Sequence, residues 1–75
     1  MTVSPSKKQL TGFARRLRAS RHSLDYTQEE FALLLGIKRD RYAKYELGQV
    51  EPPFFILRRV SELTNQSLDF LIGSK

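Results

Sequence analysis

Cysteine is absent from this chain, which excludes disulfide bridges and thiolate metal sites as ways of stapling a small fold. That absence agrees with a reducing compartment, and a cytoplasmic location is expected. The single histidine, His22, is too few for a zinc site, so no metal or other cofactor is expected. No apolar run approaches the ~20 residues that cross a bilayer, and no membrane partner is expected. Met1 to Ser6 lack the apolar stretch of a signal peptide. No Gly-rich phosphate loop, Ser/His/Asp set or carboxylate pair in a plausible cleft can be assembled. The chain also lacks the bulk to enclose a substrate pocket, so an enzyme is not expected.

What is present fits one small domain. The chain has 75 residues, with 13 Lys and Arg against 8 Asp and Glu, a formal net charge of +5. A core of that size is marginal. The charge favours an anionic partner, nucleic acid first and a membrane surface second. There are no internal repeats and no low-complexity segment.

The pattern predicts an all-α chain of five helices spanning residues 7–73, behind a short tail at 1–6. Ser6 to Gln9 has the S-x-x-Q form of a capping box, with Pro5 just outside. Leu10, Phe13, Leu17 and Leu24, with Ala14, recur at helical spacing and predict a helix from about Lys7 to Ser23. Asp25 suits the left-handed position after it. Thr27-Gln28-Glu29-Glu30 is a second capping box and opens a short helix with Phe31, Ala32 and Leu35 inside. Gly36 stops it, and Ile37 anchors the turn. A third helix reads Arg39 to Leu47, with Tyr42 and Tyr45 on the inner side and Gly48 at its end. Gln49 to Pro53 is a loop, since Pro cannot continue a helix. Pro53 suits the first turn of a fourth helix, which ends near Thr64 with Asn65 left-handed. Ser67 caps a last helix, Leu68 to Ile72, and Asp69 suits its positive end.

Two short helices separated only by Gly36-Ile37-Lys38 have the form of a helix-turn-helix. The tight turn lets the first helix brace on a DNA backbone while the second lies in the major groove. Residues 16–53, "RLRASRHSLDYTQEEFALLLGIKRDRYAKYELGQVEPP", resemble the lambda-repressor and Cro type of helix-turn-helix domain, the Xre family. The marks are Gln28, Phe31-Ala32, Leu35-Gly36-Ile37, Tyr45-Glu46-x-Gly48 and Pro52, and "SLDFLIG" is similar to that family's last helix. The likeness covers about Phe13 to Gly73. It implies five helices, duplex DNA binding, frequent homodimers and regulatory roles, antitoxins included. The chain departs from the family pattern at three places. Asp25 stands where Gly is frequent. Lys38 replaces a Ser or Thr cap. Phe54-Phe55-Ile56-Leu57 is more apolar than one helix face needs.

By the same resemblance, Arg39, Asp40 and Lys44 fall where the family reads bases. Arg39 or Lys44 suits guanine O6 and N7, and Asp40 can accept from cytosine N4. Asp40 and Lys44 also have the spacing of an i,i+4 ion pair on a solvated face. Thr27 and Gln28 stand at a helix start that can grip a phosphate. Lys38 and Arg41 are expected to meet phosphates or water. Arg21 and Glu46 are implied to pair and lock the first helix to the third. Tyr42 and Tyr45 read as inner-face residues rather than base stackers. Arg15, Arg16 and Arg18 read as a solvated face, with nonspecific DNA attraction as the functional option, and His22 as a surface residue. Phe55 and Ile56 are expected on the outside of the fourth helix, beyond the face that Phe54, Leu57 and Thr64 bury together, forming either a homodimer contact or, in an antitoxin, a cover for a toxin. A basic membrane binder is a third reading, which the short capped helices argue against.

Overall fold

A computed structural model describes residues 7–73, with side chains from Thr11 onward. It contains α1 (Lys7–Ser23), α2 (Gln28–Leu35), α3 (Arg39–Glu46), α4 (Phe54–Thr64) and α5 (Leu68–Ile72), and no strand among the described residues. The Ser6–Gln9 capping box and the 1–6 tail lie outside the described residues, as does the side chain of Leu10.

The helix ends follow from local chemistry. At the start of α2 the Thr27 hydroxyl accepts from the Glu30 amide at 3.1 Å, and the Glu30 carboxylate accepts from the Thr27 amide at 2.9 Å. Two of the amides that a helix start leaves unpaired are thereby satisfied. Gly36 is left-handed at φ 76°. It lets the Gly36 amide bond to the Leu33 carbonyl and the Ile37 amide to the Ala32 carbonyl, both at 3.0 Å. Ile37 is thus turned back onto the core. Asp25 does the same after α1 at φ 62°, with Tyr26 bonded to the Arg21 carbonyl. Asn65 ends α4 at φ 56°, and the Ser67 hydroxyl accepts from the Phe70 amide to open α5. Lys38 and Pro53 cap α3 and α4 without a side-chain bond. Leu47 follows α3 as its cap rather than its last residue.

All five helices contribute to one apolar cluster, which includes Phe13, Leu17, Phe31, Leu35, Tyr42, Tyr45, Ile56, Val60 and Leu71. A run of rings passes through it. Phe31 meets Tyr42 edge-on with centroids 5.5 Å apart, and Tyr42 meets Tyr45 at 6.5 Å. Such contacts add to the burial gain of each ring. Arg16 ties the last helix down, its Nε donating to the Leu71 carbonyl at 3.0 Å.

Two sequence expectations are corrected. Ile56 is only 1% exposed and belongs to the core, whereas Phe54 and Phe55 are 62% and 61% exposed. Four consecutive apolar residues carry no phase of their own. The phase of α4 is set downstream, where Val60 and Leu63 continue the inner stripe from Ile56 at helical spacing. Ile56 therefore cannot contribute to a dimer or toxin contact, and Phe54 joins Phe55 on the outside. Leu24 is also exposed, because α1 stops at Ser23 and the turn through Asp25 carries the chain away from the helical face.

Candidate nucleic-acid interface

α2 and α3 form the helix-turn-helix, joined by Gly36, Ile37 and Lys38. The inner side of α3 is committed to the core through Tyr42 and Tyr45. At 3.6 residues per turn, Asp40, Ala43, Lys44 and Leu47 then share the opposite side, with Arg39 and Arg41 at its edges. Arg39, Asp40, Arg41, Lys44 and Leu47 are all exposed. Arg39 Nη1 lies 3.6 Å from Asp40 Oδ1, and both side chains are open to solvent. Asp40 is thus placed against its neighbour Arg39, where the sequence had left a pairing with Lys44 open.

Beneath that face, Glu46 is the hub of a buried polar network. Arg21 donates from Nε to Oε2 at 2.6 Å and from Nη2 to Oε1 at 3.1 Å. This is the bidentate geometry that suits guanidinium and carboxylate. The Tyr42 hydroxyl donates to Oε2, and Gln28 Nε2 donates to Oε1 at 3.0 Å. Arg21 Nη1 also donates to the Tyr26 carbonyl at 2.7 Å. One carboxylate therefore ties α1, α2 and α3 together. Burial alone would raise the Glu46 carboxyl, but the bonds from Arg21, Tyr42 and Gln28 outweigh it and hold the group below its ordinary value. The bond to Glu46 raises the Arg21 guanidinium further despite burial. Burial, then the bond to the anionic Glu46, pushes the Tyr42 hydroxyl well up.

Gln28 differs from its sequence reading in one respect. One hydrogen of its amide is already given to Glu46, so the whole amide is not available to an outside group. Thr27 is likewise engaged, its hydroxyl being the cap of α2.

Two clefts border α3. One, about 310 Å³, is lined by Arg18, Arg21, Gln28, Ala43, Glu46 and Leu47. The other, about 370 Å³, is lined by Ile37, Lys38, Asp40, Arg41, Lys44 and Val50. Sequence reasoning left Arg18 on a solvated face, with nonspecific DNA attraction as its functional option, and gave Leu47 no role beyond the end of the third helix. The approach of α1 to α3 that brings Arg18 beside Gln28 is a tertiary fact with no local signal. The 67% exposure of Leu47 is legible from the helical phase of Tyr42 and Tyr45.

The described residues hold no cluster of metal-ligating side chains, and no helix among them is long and apolar enough to cross a membrane. A model of the helix-turn-helix family HTH_3 matches residues 15–71, which takes in every element from the middle of α1 to α5. Three regulators of Bacillus subtilis (strain 168) are similar to the chain. The SPbeta prophage-derived HTH-type transcriptional regulator YonR is 42% identical over 60 residues, covering 80% of this chain and 56% of its own length. The HTH-type transcriptional regulator YqaE is 38% identical over 60 residues, covering 80% and 52%. The HTH-type transcriptional regulator ImmR is 36% identical over 59 residues, covering 79% and 46%. The chain thus spans about half the length of the curated relatives it matches. No solved structure gives a significant match. With the family match running over the same capped helices, tight turn and Glu46 hub that the structure displays, the chain belongs to the Xre, lambda-repressor type of helix-turn-helix family.

Proposed function

We propose that this chain is the DNA-binding part of a transcriptional regulator, a repressor, that lays α3 in the major groove of duplex DNA and acts as a homodimer on an inverted-repeat operator. The observation that carries the reading is the two-sided character of α3. Its inner side is locked by Tyr42, Tyr45 and Glu46, while its outer side presents Arg39, Asp40 and Lys44 to solvent. A reading helix needs both, since bases are told apart only by donors and acceptors held in fixed places. The family membership and the regulator names of the three relatives support it. The site of action would be the cytoplasm, where bacterial DNA lies.

In this reading Arg39 and Lys44 address base edges, guanine O6 and N7 first, and Asp40 either accepts from cytosine or orients Arg39 through their 3.6 Å contact. Lys38 and Arg41 meet phosphates, and Thr27 contributes by fixing the start of α2. Arg39→Ala should cost about 1–3 kcal/mol on the operator and relax the preference at one base pair per half-site. Arg41→Ala should weaken operator and scrambled DNA alike, because a phosphate carries no base identity. Fluorescence anisotropy on both duplexes separates the two. Equal loss on both duplexes for Arg39→Ala would show that Arg39 is not a reader.

One observation favours a second reading. Phe54 and Phe55 stand side by side in solvent, as an antitoxin surface for a toxin would require. The same pair serves a homodimer contact, and light scattering on the isolated chain distinguishes the two.

A further inference from the structure

The outward side of α3 carries more than charge. Arg39, Asp40, Arg41 and Lys44 are exposed there, and the reading above uses all four. It does not use Leu47. This residue follows α3 directly as its cap and is 67% exposed. It belongs neither to the apolar cluster nor to the half-buried residues packed on it. Its side chain takes no part in closing the helix either, because the backbone does that alone. The Gly48 amide bonds to the Tyr45 carbonyl at 3.1 Å and the Gln49 amide to the Lys44 carbonyl at 3.0 Å, with Gly48 left-handed at φ 71°. A large apolar side chain thus stands in water at a fixed place and adds nothing to the core. Leu47 also has a neighbour of its own kind. Ala43, four residues earlier, is half-buried, and both line the cleft of about 310 Å³ beside α3. Residues four apart share a helix face, so the two make an apolar strip. Asp40 and Lys44 precede Leu47 by seven and three residues, so the charged strip runs alongside it.

The major groove offers an apolar strip one partner. Its base edges are donors and acceptors, and the apolar group among them is the 5-methyl group of thymine. We infer that Leu47, with Ala43 beside it, is a specificity-determining contact to a thymine methyl group. This rests on the DNA-binding reading above. The contact also selects by exclusion, since a cytosine in that place removes the methyl group and sets a polar amino group against Leu47. The helix fixes where the thymine lies. At a rise of about 1.5 Å per residue Leu47 is about 12 Å along α3 from Arg39, and base pairs are about 3.4 Å apart. The thymine should therefore lie about three base pairs from the one that Arg39 reads.

The test uses a duplex selected from random DNA by the wild-type chain, with each thymine of one half-site replaced in turn by uracil. Uracil keeps the base pair and removes only the methyl group. One such replacement should weaken wild-type binding about fourfold, the value of one buried carbon. Leu47→Ala should bind the thymine duplex more weakly and should not distinguish uracil from thymine at that position. Leu47→Met keeps an apolar side chain and should keep the discrimination. Arg39→Ala alters a different base pair and should keep the uracil effect too. The melting temperature of Leu47→Ala should match that of wild type, since the side chain lies outside the core. A wild type indifferent to uracil at every position, selected half-sites without thymine, or a uracil effect that persists unchanged in Leu47→Ala overturns the methyl contact and leaves the DNA-binding reading standing. A sensitive thymine adjacent to the base pair that Arg39→Ala relaxes overturns its placement along α3. Failure of the wild type to select or bind any duplex overturns the DNA-binding reading itself, and the methyl contact with it.

Discussion

Glu46 accepts from Arg21, Tyr42 and Gln28 at once, and no buried side-chain polar atom among the described residues is left without a partner. A network so complete is costly to break and cheap to keep. Glu46→Ala would leave Arg21, a residue only 8% exposed, without its counterion. Removing one partner of a buried pair costs about 3–5 kcal/mol, a large part of the stability of so small a chain. Arg21→Ala should be similarly harmful, and urea denaturation of both singles and the double should show strong coupling. Additive losses would mean that the two do not interact. The pH dependence follows from the direction of the Glu46 shift. Its folded value lies below its ordinary one, so its contribution is present above about pH 4.3 and is lost as pH falls through the folded value. Glu46→Gln should show a flatter loss of stability in acid than wild type. An identical acid profile would remove Glu46 as the source. The pairing itself was implied by family resemblance, through the Tyr45-Glu46-x-Gly48 mark. The attachment of Gln28 and Tyr42 to the same carboxylate was not, because it depends on how α2 crosses α3.

At the scale of elements, the helix boundaries were the most legible feature, because capping depends on a few adjacent residues. Thr27 and Glu30 form their reciprocal cap, and Asp25, Gly36, Gly48 and Asn65 are left-handed. Gly36 offers a clean measure of what that conformation costs. A Cβ there would meet only the end of Arg59 at 3.9 Å, an ordinary contact, so the penalty is one of backbone conformation. Gly36→Ala should destabilise by about 1–2 kcal/mol, and Gly36→Asn by less, since Asn tolerates the left-handed region better. Thermal melts of the two variants check the order, and equal Tm values would show that conformation does not dominate at this turn. The phase of α4 was misread, with Phe54 expected inside and Ile56 outside. Its first four residues are all apolar, so local pattern could not say which of them face inward. Packing against α1, α2 and α5 chose Ile56 and Leu57 and turned Phe54 and Phe55 out.

For the whole molecule, the two exposed phenylalanines bear on assembly. Two adjacent rings left in water are a poor use of apolar area in a small fold. A second copy meeting them across a twofold axis would bury them and pair two α3 helices. The operator should then be an inverted repeat with half-sites about 10 bp apart. Phe55→Lys should weaken self-association in light scattering while far-UV circular dichroism stays helical. A wild-type chain that remains monomeric at high concentration and on DNA would sink the dimer. Phe54→Lys is the companion variant, since Phe54 is exposed and Ile56 is inside.

The sequence by itself determined the all-α class, the positions of the five helices, the tight turn between α2 and α3, and the residues that face outward on α3. Each of these is local, resting on caps, breakers and a 3.6-residue period that neighbouring residues settle among themselves. Only the tertiary structure decided which side of α4 is inside, that Gln28 and Tyr42 converge on Glu46, and that Arg18 stands over a cleft beside Gln28. Those depend on angles between helices, and such angles are set by the shapes of side chains far apart in the chain meeting in one close-packed core.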